Sequence, residues 1–255
     1  MSDEAILTET RDGVLIVTIN RPDARNSVNA AVATGMAAAL DRLDSEDDLR
    51  VGVITGAGGY FSSGMDLKAF VKGESPYAED RGFAGITQRA SRKPLIAAIE
   101  GFALAGGFEV ALSCDLIVAS SEARFGIPEV KRSLVAAGGA LLRLPRRIPY
   151  HLAMELALVG EPIGAERAAE LGIVNRIAEP GQALDVALEL AQALVKNAPL
   201  ALIASKAIIQ QSPEWSSDEM WTKQGEISGP VFVSEDAREG ATAFAEKREP
   251  VWRGR

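Results

Sequence analysis

The sequence predicts an α/β fold, and three observations carry that prediction. Apolar segments of strand length alternate with amphipathic helical segments through the first two thirds of the chain. Glycine and proline punctuate the joints between them. Beyond Gln182 the strand pattern stops, and the periodicity becomes almost wholly helical.

Taken in order, "AILTE" and "GVLIVTIN" flank the turn signal "TRDG" and read as paired strands. "NRPDARNSVN" is a polar loop, and "AAVATGMAAALDRLDSED" a helix with an acidic end. "VGVITGAGGYFSSGMDLKAF" reads as strand, glycine-rich loop and helix start. "ESPYAEDRGFAGITQRASR" begins as a charged loop and is expected to end as a helix. "KPLIAAIEG" and "DLIVAS" are buried strands on either side of "GFALAGGFEVALSCD". "GAERAAELGIVNRI" repeats helix, glycine stop and strand. "ALDVALELAQALVKN", "LALIASKAIIQQS" and "DAREGATAFAEKR" are helices. We expect an α/β core over residues 1–195 and a C-terminal helical region over 196–255.

Composition narrows the function. Hydrophobic residues make up 47% and charged residues 24% of the 255, which are ordinary globular proportions. The net charge of −8 repels phosphate polymers, so nucleic acid is not an expected partner. The acidic start "MSDEAILTETRDG" lacks a signal peptide's apolar stretch, and no run reaches membrane-span length. With one cysteine, Cys114, an internal disulfide is impossible, and a cytoplasmic location is expected. The lone histidine, His151, excludes a His-rich metal site, so no metal is expected. No G-x-S-x-G elbow or P-loop is present, and "GAGGYF" has Phe61 where a dinucleotide fingerprint needs its third glycine. Carboxylates remain for acid–base work, and backbone N–H groups for stabilising an oxyanion.

Three segments could supply them. In "FSSGMDLK", Gly64 permits a tight turn and Asp66 suits a helix start, which frees the Met65 N–H. In "LAGGFEV", a helix starting near Gly106 leaves amides unpaired and sets Glu109 one turn later on nearly the same face. In "ARFGIPEVK", a strand turns sharply and displays Glu129. Each has an ordinary alternative: a plain strand–turn–helix joint, a buried glutamate in a salt bridge, and a solvated glutamate.

In their order and spacing these segments, with "GGALLRLPRRI", "ERAAELGIVNRI" and "SEDAREGATAFAEKREPVW", resemble the enoyl-CoA hydratase/isomerase, or crotonase, family across almost the whole chain. "RGFAGIT" and "AFAEKREPVWRGR" are most like its carnitinyl-CoA dehydratases and bacterial enoyl-CoA hydratases. The resemblance implies a crotonase-like spiral of β-β-α units with a C-terminal helical trimerisation region, forming trimers or dimers of trimers. It implies an acyl-CoA thioester substrate, with coenzyme A belonging to the substrate and no separate cofactor. Met65 and Gly106 match the family's oxyanion-hole amides, and Glu109 and Glu129 its catalytic glutamates. The CoA moiety would lie along Ala24, Arg25, Ser63, Asp66 and Leu67, with Phe244 and Lys247 reaching it from the same or a neighbouring subunit. An ordinary exposed loop residue at Arg25 and plain helix packing at Phe244 are the competing readings.

The implied activity is reversible hydration of a 2-enoyl-CoA by a hydro-lyase. A carnitinyl-CoA dehydratase, with Tyr77, Phe83, Trp215 and Trp221 as candidates to meet a trimethylammonium group, and a non-catalytic acyl-CoA-binding protein are the alternatives. Many relatives carry a glycine near Ser133 and a proline near Val135 or Ala136. The absence of that proline leaves the acyl group open.

Overall fold

The computed structural model describes residues 4–255, so Met1–Asp3 of the acidic N-terminal segment lie outside the described residues. Strands β1 (Ile6–Arg11) and β2 (Val14–Ile19) form the expected hairpin. Asp12 (φ 47°) and Gly13 (φ 79°) make the turn. Helix α1 (Ala30–Ser45) is capped by Asn29, whose side chain accepts the Val32 N–H. It buries Val32, Met36, Leu40 and Leu43 along one stripe. Strand β3 (Val51–Gly56) leads through a glycine-rich loop to the short helix α2 (Leu67–Val71).

The segment expected to end in a helix does not form one. It holds a two-stranded hairpin, β4 (Tyr77–Ala78) with β5 (Gly82–Phe83), followed by turns. Gly82, Ala84 and Gly85 all have φ between 54° and 74°, which breaks helical propagation. The Arg81 guanidinium is fully buried and paired with Asp41 of α1, so long-range contacts fix the hairpin.

Next come β6 (Leu95–Ile99), β7 (Phe102–Leu104), α3 (Gly106–Ser113), β8 (Leu116–Ser120) and β9 (Arg124–Gly126). Helices α4 (Ala140–Arg147) and α5 (Tyr150–Val159), strand β10 (Ile163–Gly164), helix α6 (Ala165–Glu170) and strand β11 (Arg176–Ala178) complete the α/β part. The chain closes with α7 (Ala183–Val195), α8 (Pro199–Gln211), α9 (Met220–Phe232) and α10 (Glu235–Glu246).

The main sheet has the order β1-β2-β3-β6-β8-β11, parallel except for the β1–β2 hairpin. A second sheet, β10-β9-β7, is smaller. Strand alternation divides the core. Val14, Ile16, Val51, Val53, Ile96 and Ala98 face α7, which meets them with Ala183, Ala187 and Ala191 at four-residue spacing. Leu15, Val17, Ile19, Ile54, Ala97 and Ile99 face the larger core beneath α1 and α3. Burial on both faces explains why these parallel strands read as nearly continuous apolar runs. No single helix among the described residues is long and apolar enough to cross a membrane.

Candidate active site

The site forms where the loop after β3 meets the β7–α3 junction. Ser62 bridges to Ala103 in parallel, with the Ser62 N–H donating to Phe102 O (3.0 Å) and the Leu104 N–H donating back to Ser62 O (3.0 Å). This pairing lays the segment around Gly64 against the start of α3. A methyl group on Gly64 (φ 91°) would sit 2.8 Å from the Gly106 nitrogen, and one on Gly106 would sit 2.5 Å from the Phe83 ring. Both glycines are therefore required by close approach. Ala105 caps α3 with φ 52° and ψ −130°, an unfavourable conformation for a residue bearing a Cβ. Its amide is pinned to Gly126 O at 2.8 Å. Among the described residues, neither the Met65 nor the Gly106 N–H has a hydrogen-bond partner.

Helix α3 is buried on every side, and Glu109 goes with it at 3% exposure. It has no salt-bridge partner among the described residues, which removes the ordinary reading of a buried ion pair. The Ala140 N–H donates to Glu109 Oε1 at 3.1 Å instead, and the Gly138 amide also favours the anion. A side chain on Gly138 would meet Glu109 Oε2 at 2.5 Å. Burial outweighs these amides and raises the Glu109 carboxyl to about 7, and the charge of Glu129 adds to the rise.

Glu129 comes from the segment that follows β9. Parallel pairing of β7 with β9 and the Phe108–Phe125 ring contact (5.5 Å) bring the end of β9 beside α3. A short 3-10 turn, Pro128–Arg132, then presents Glu129. Its Oε2 is buried with no hydrogen-bond partner among the described residues, and burial raises this carboxyl too. Ser133 ends the turn at φ 55°, so the backbone here adopts the glycine-like conformation without the glycine. Glu129 also lines a cavity of about 420 Å³ walled by Val130, Val135, Leu141, Met154 and Leu158.

The expected CoA-binding residues of the two loops do lie side by side. The Val28 N–H donates to Gly64 O (2.8 Å), and the Ser63 N–H to Arg25 O (3.1 Å). Arg25 is exposed, in a left-handed conformation, with no side-chain partner among the described residues. The Ala24 N–H bonds Arg21 O. Asp66 is engaged locally: its carboxylate caps α2 and pairs with Arg21 at 2.9 Å, its N–H donates to Val28 O, and its carbonyl accepts the Phe70 N–H. Leu67 opens α2 and is 41% exposed.

Phe244 and Lys247 are not tied to these loops. Phe244 is 86% exposed, Lys247 caps α10, and no hydrogen bond, ion pair or ring contact joins either to residues 24–25 or 63–67. Of the four aromatic candidates, Tyr77 and Phe83 pack edge to face at 5.7 Å beside Gly106, and the charge of Glu109 raises the Tyr77 phenol after burial. Trp215 and Trp221 stay in the helical C-terminal region.

Sequence reasoning missed two supports of this site. Asn26 is fully buried, and its amide nitrogen holds Ala57 O (2.8 Å) and Tyr60 O (2.7 Å). An asparagine inside a proline-containing polar loop was the available signal, since Asn tolerates its φ of 53°. The Gly138–Ala140 turn carried only its paired glycines as a signal.

Two unpaired amides and two carboxyls raised by burial can polarise a carbonyl and move a proton next to it. The comparisons with known proteins point the same way. The enoyl-CoA hydratase/isomerase family model matches residues 9–255. An enoyl-CoA hydratase of Mycobacterium tuberculosis is 44% identical over 98% of this chain and 96% of its own. A carnitinyl-CoA dehydratase of Escherichia coli is 43% identical over 96% of this chain and 97% of its own. The crystal structure of an enoyl-CoA hydratase from Mycobacterium tuberculosis superposes with a TM-score of 0.97 at 58% identity, covering 99% of this chain and 100% of the other. With a match that runs from β1 to the last residue, this chain belongs to the enoyl-CoA hydratase/isomerase family.

Proposed function

We propose that this protein is a hydro-lyase that adds water reversibly to a 2-enoyl-CoA thioester, giving a 3-hydroxyacyl-CoA. One observation carries the reading: buried Glu109, on which the charge of Glu129 also acts, lies one turn from the unpaired Gly106 amide, and the Gly64 turn holds the unpaired Met65 amide against the same helix start. The thioester oxygen accepts from these two N–H groups. Glu109, held as an acceptor by the Ala140 amide, takes a proton from water. The water oxygen bonds to C3, and the double-bond electrons move onto the thioester oxygen as an enolate. Glu129, raised by burial and with no donor on its buried Oε2 among the described residues, delivers the proton to C2. Atoms and electrons balance without a redox or metal partner, so we propose no cofactor. Each oxyanion donor contributes about 3–4 kcal/mol to the transition state.

The loops carrying Arg25, Ser63 and Leu67 would receive the CoA moiety. The largely apolar cavity beside Glu129, with Tyr150 among its walls, supports a hydrocarbon acyl tail. The second reading, carnitinyl-CoA dehydration, rests on the Tyr77–Phe83 pair beside Glu109, since aromatic faces attract a trimethylammonium group. A panel of CoA thioesters, followed by loss or gain of the conjugated thioester absorbance, separates the two. Hydration of crotonyl-CoA or longer enoyl-CoAs is expected, falling at least about 100-fold in Glu109→Gln and in Glu129→Gln. Turnover that survives both substitutions sinks the two-glutamate reading, and tight CoA-ester binding without product identifies a non-catalytic binder.

A further inference from the structure

The Glu109 carboxylate depends on a turn that is itself held in place. Gly138 and Ala140 reach Glu109, and Gly139 between them has φ 111°. The Arg143 guanidinium, one turn into α4, bridges backward from there. Its Nη1 donates to Gly138 O at 3.3 Å, and its Nη2 donates to Thr87 O, at the end of the segment carrying Tyr77 and Phe83. A side chain on Gly139 would sit 2.0 Å from Arg143 Nη1, so the glycine and the arginine are sterically matched. Arg143 makes no ion pair within salt-bridge distance among the described residues. Its charge nevertheless acts on Glu109, and the charge of Glu109 acts back on it.

We propose that Arg143 is a positioning residue for Glu109: it clamps the Gly138–Ala140 turn to Thr87 and presents a fixed positive charge to the carboxylate. The other groups acting on Glu109 are Glu129 from the 3-10 turn and the Gly138 and Ala140 amides, while the Glu109 charge in turn acts on the Tyr77 phenol of β4. Arg147, on the same helix, acts on Arg143 and bonds Leu112 O at the far end of α3. Arg143 is thus the cation that opposes the effect of Glu129 on Glu109.

The inference rests on the hydratase reading only for its kinetic consequences, so the test has an arm independent of activity. The Glu109 carboxyl carbon is followed by NMR across pH in protein labelled at glutamate and assigned by its loss in Glu109→Gln. In Arg143→Gln the titration is expected to move up by about one pH unit, because an opposite charge nearby favours the ionised form. Arg143→Lys restores the titration to within about half a unit of wild type, because it keeps the charge. Both variants lower kcat on enoyl-CoA while KM stays within about twofold, as for a group acting on the chemical step. A folded Arg143→Gln with an unmoved Glu109 titration overturns the proposal. If that variant does not fold, Gly139→Ala, which displaces the guanidinium, and Arg143→Lys decide: wild-type kcat in both overturns it. A moved titration in a protein inactive on every enoyl-CoA keeps the proposal and removes the hydratase reading.

Discussion

Glu109 shows how a single residue acquires chemistry from its surroundings. Burial raises its carboxyl from 4.5 to about 7, while two backbone amides keep the anion accessible. A base with this acidity is half ionised near neutrality, the condition in which proton transfer is most effective. The expected kcat/KM for hydration rises with pH through about 7 as Glu109 ionises. A flat profile across that range contradicts this role. Stability moves the other way. A carboxyl raised in the folded state stabilises most fully below its unfolded value of 4.5, and that stability is lost as pH climbs through about 7. Glu109→Gln is therefore expected to be more stable than wild type at pH 8, by about 2–3 kcal/mol, with the gain gone below about pH 4.5. Thermal melts of both proteins across pH read this directly. The spacing of Gly106 and Glu109 made half the site legible. Glu129 lies twenty positions further on, and nothing local says it returns to the same place.

At the level of elements, the junction between β7 and α3 stores strain at the point of function. Ala105 occupies φ 52° and ψ −130°, and it does so because its N–H is held by Gly126 and its neighbours abut Gly64. Ala105→Gly relieves that conformation and is expected to stabilise the protein by about 1–2 kcal/mol in denaturant unfolding. The same freedom loosens the Gly106 amide, so a drop in kcat without loss of stability is the expected signature. Unchanged stability shows that the conformation is not strained. The segment from residue 74 to 92 was the element least legible in sequence. Its helical spacing lost to three left-handed residues and to the pairing of buried Arg81 with Asp41, which spans forty positions. By contrast α1, with its Asn29 cap and its apolar stripe, was legible because every signal for it is local.

For the molecule as a whole, the C-terminal helices are left with apolar side chains that nothing among the described residues covers. Ile209, Trp221, Phe232, Val233 and Phe244 are each more than 70% exposed. Such side chains on adjoining helices fit an assembly surface better than a solvated one. We propose that these helices pack between subunits in a trimer or a dimer of trimers. Light scattering on the purified protein is expected to give the mass of three or six chains, and a double substitution, Trp221→Asp with Phe232→Asp, is expected to lower it. A fully active monomer rejects the assembly and, with it, any contribution of Phe244 and Lys247 to a neighbouring site.

By itself, the sequence determined the α/β class, the hairpin at the start, the helix beginning at Gly106 and the chemical poverty that left carboxylates and amides as the reactive groups. These follow from periodicity, capping and residue type, which act over a few positions. Only the tertiary structure decided that the charge of Glu129 acts on Glu109, that the Asp66 cap also pairs with Arg21, that residues 77–83 form a hairpin, and that Arg143 bonds both Gly138 O and Thr87 O. Those outcomes depend on strand pairing, burial and ion pairs between residues twenty to fifty-six positions apart. Such contacts form only when the whole core closes and water leaves the groups it buries.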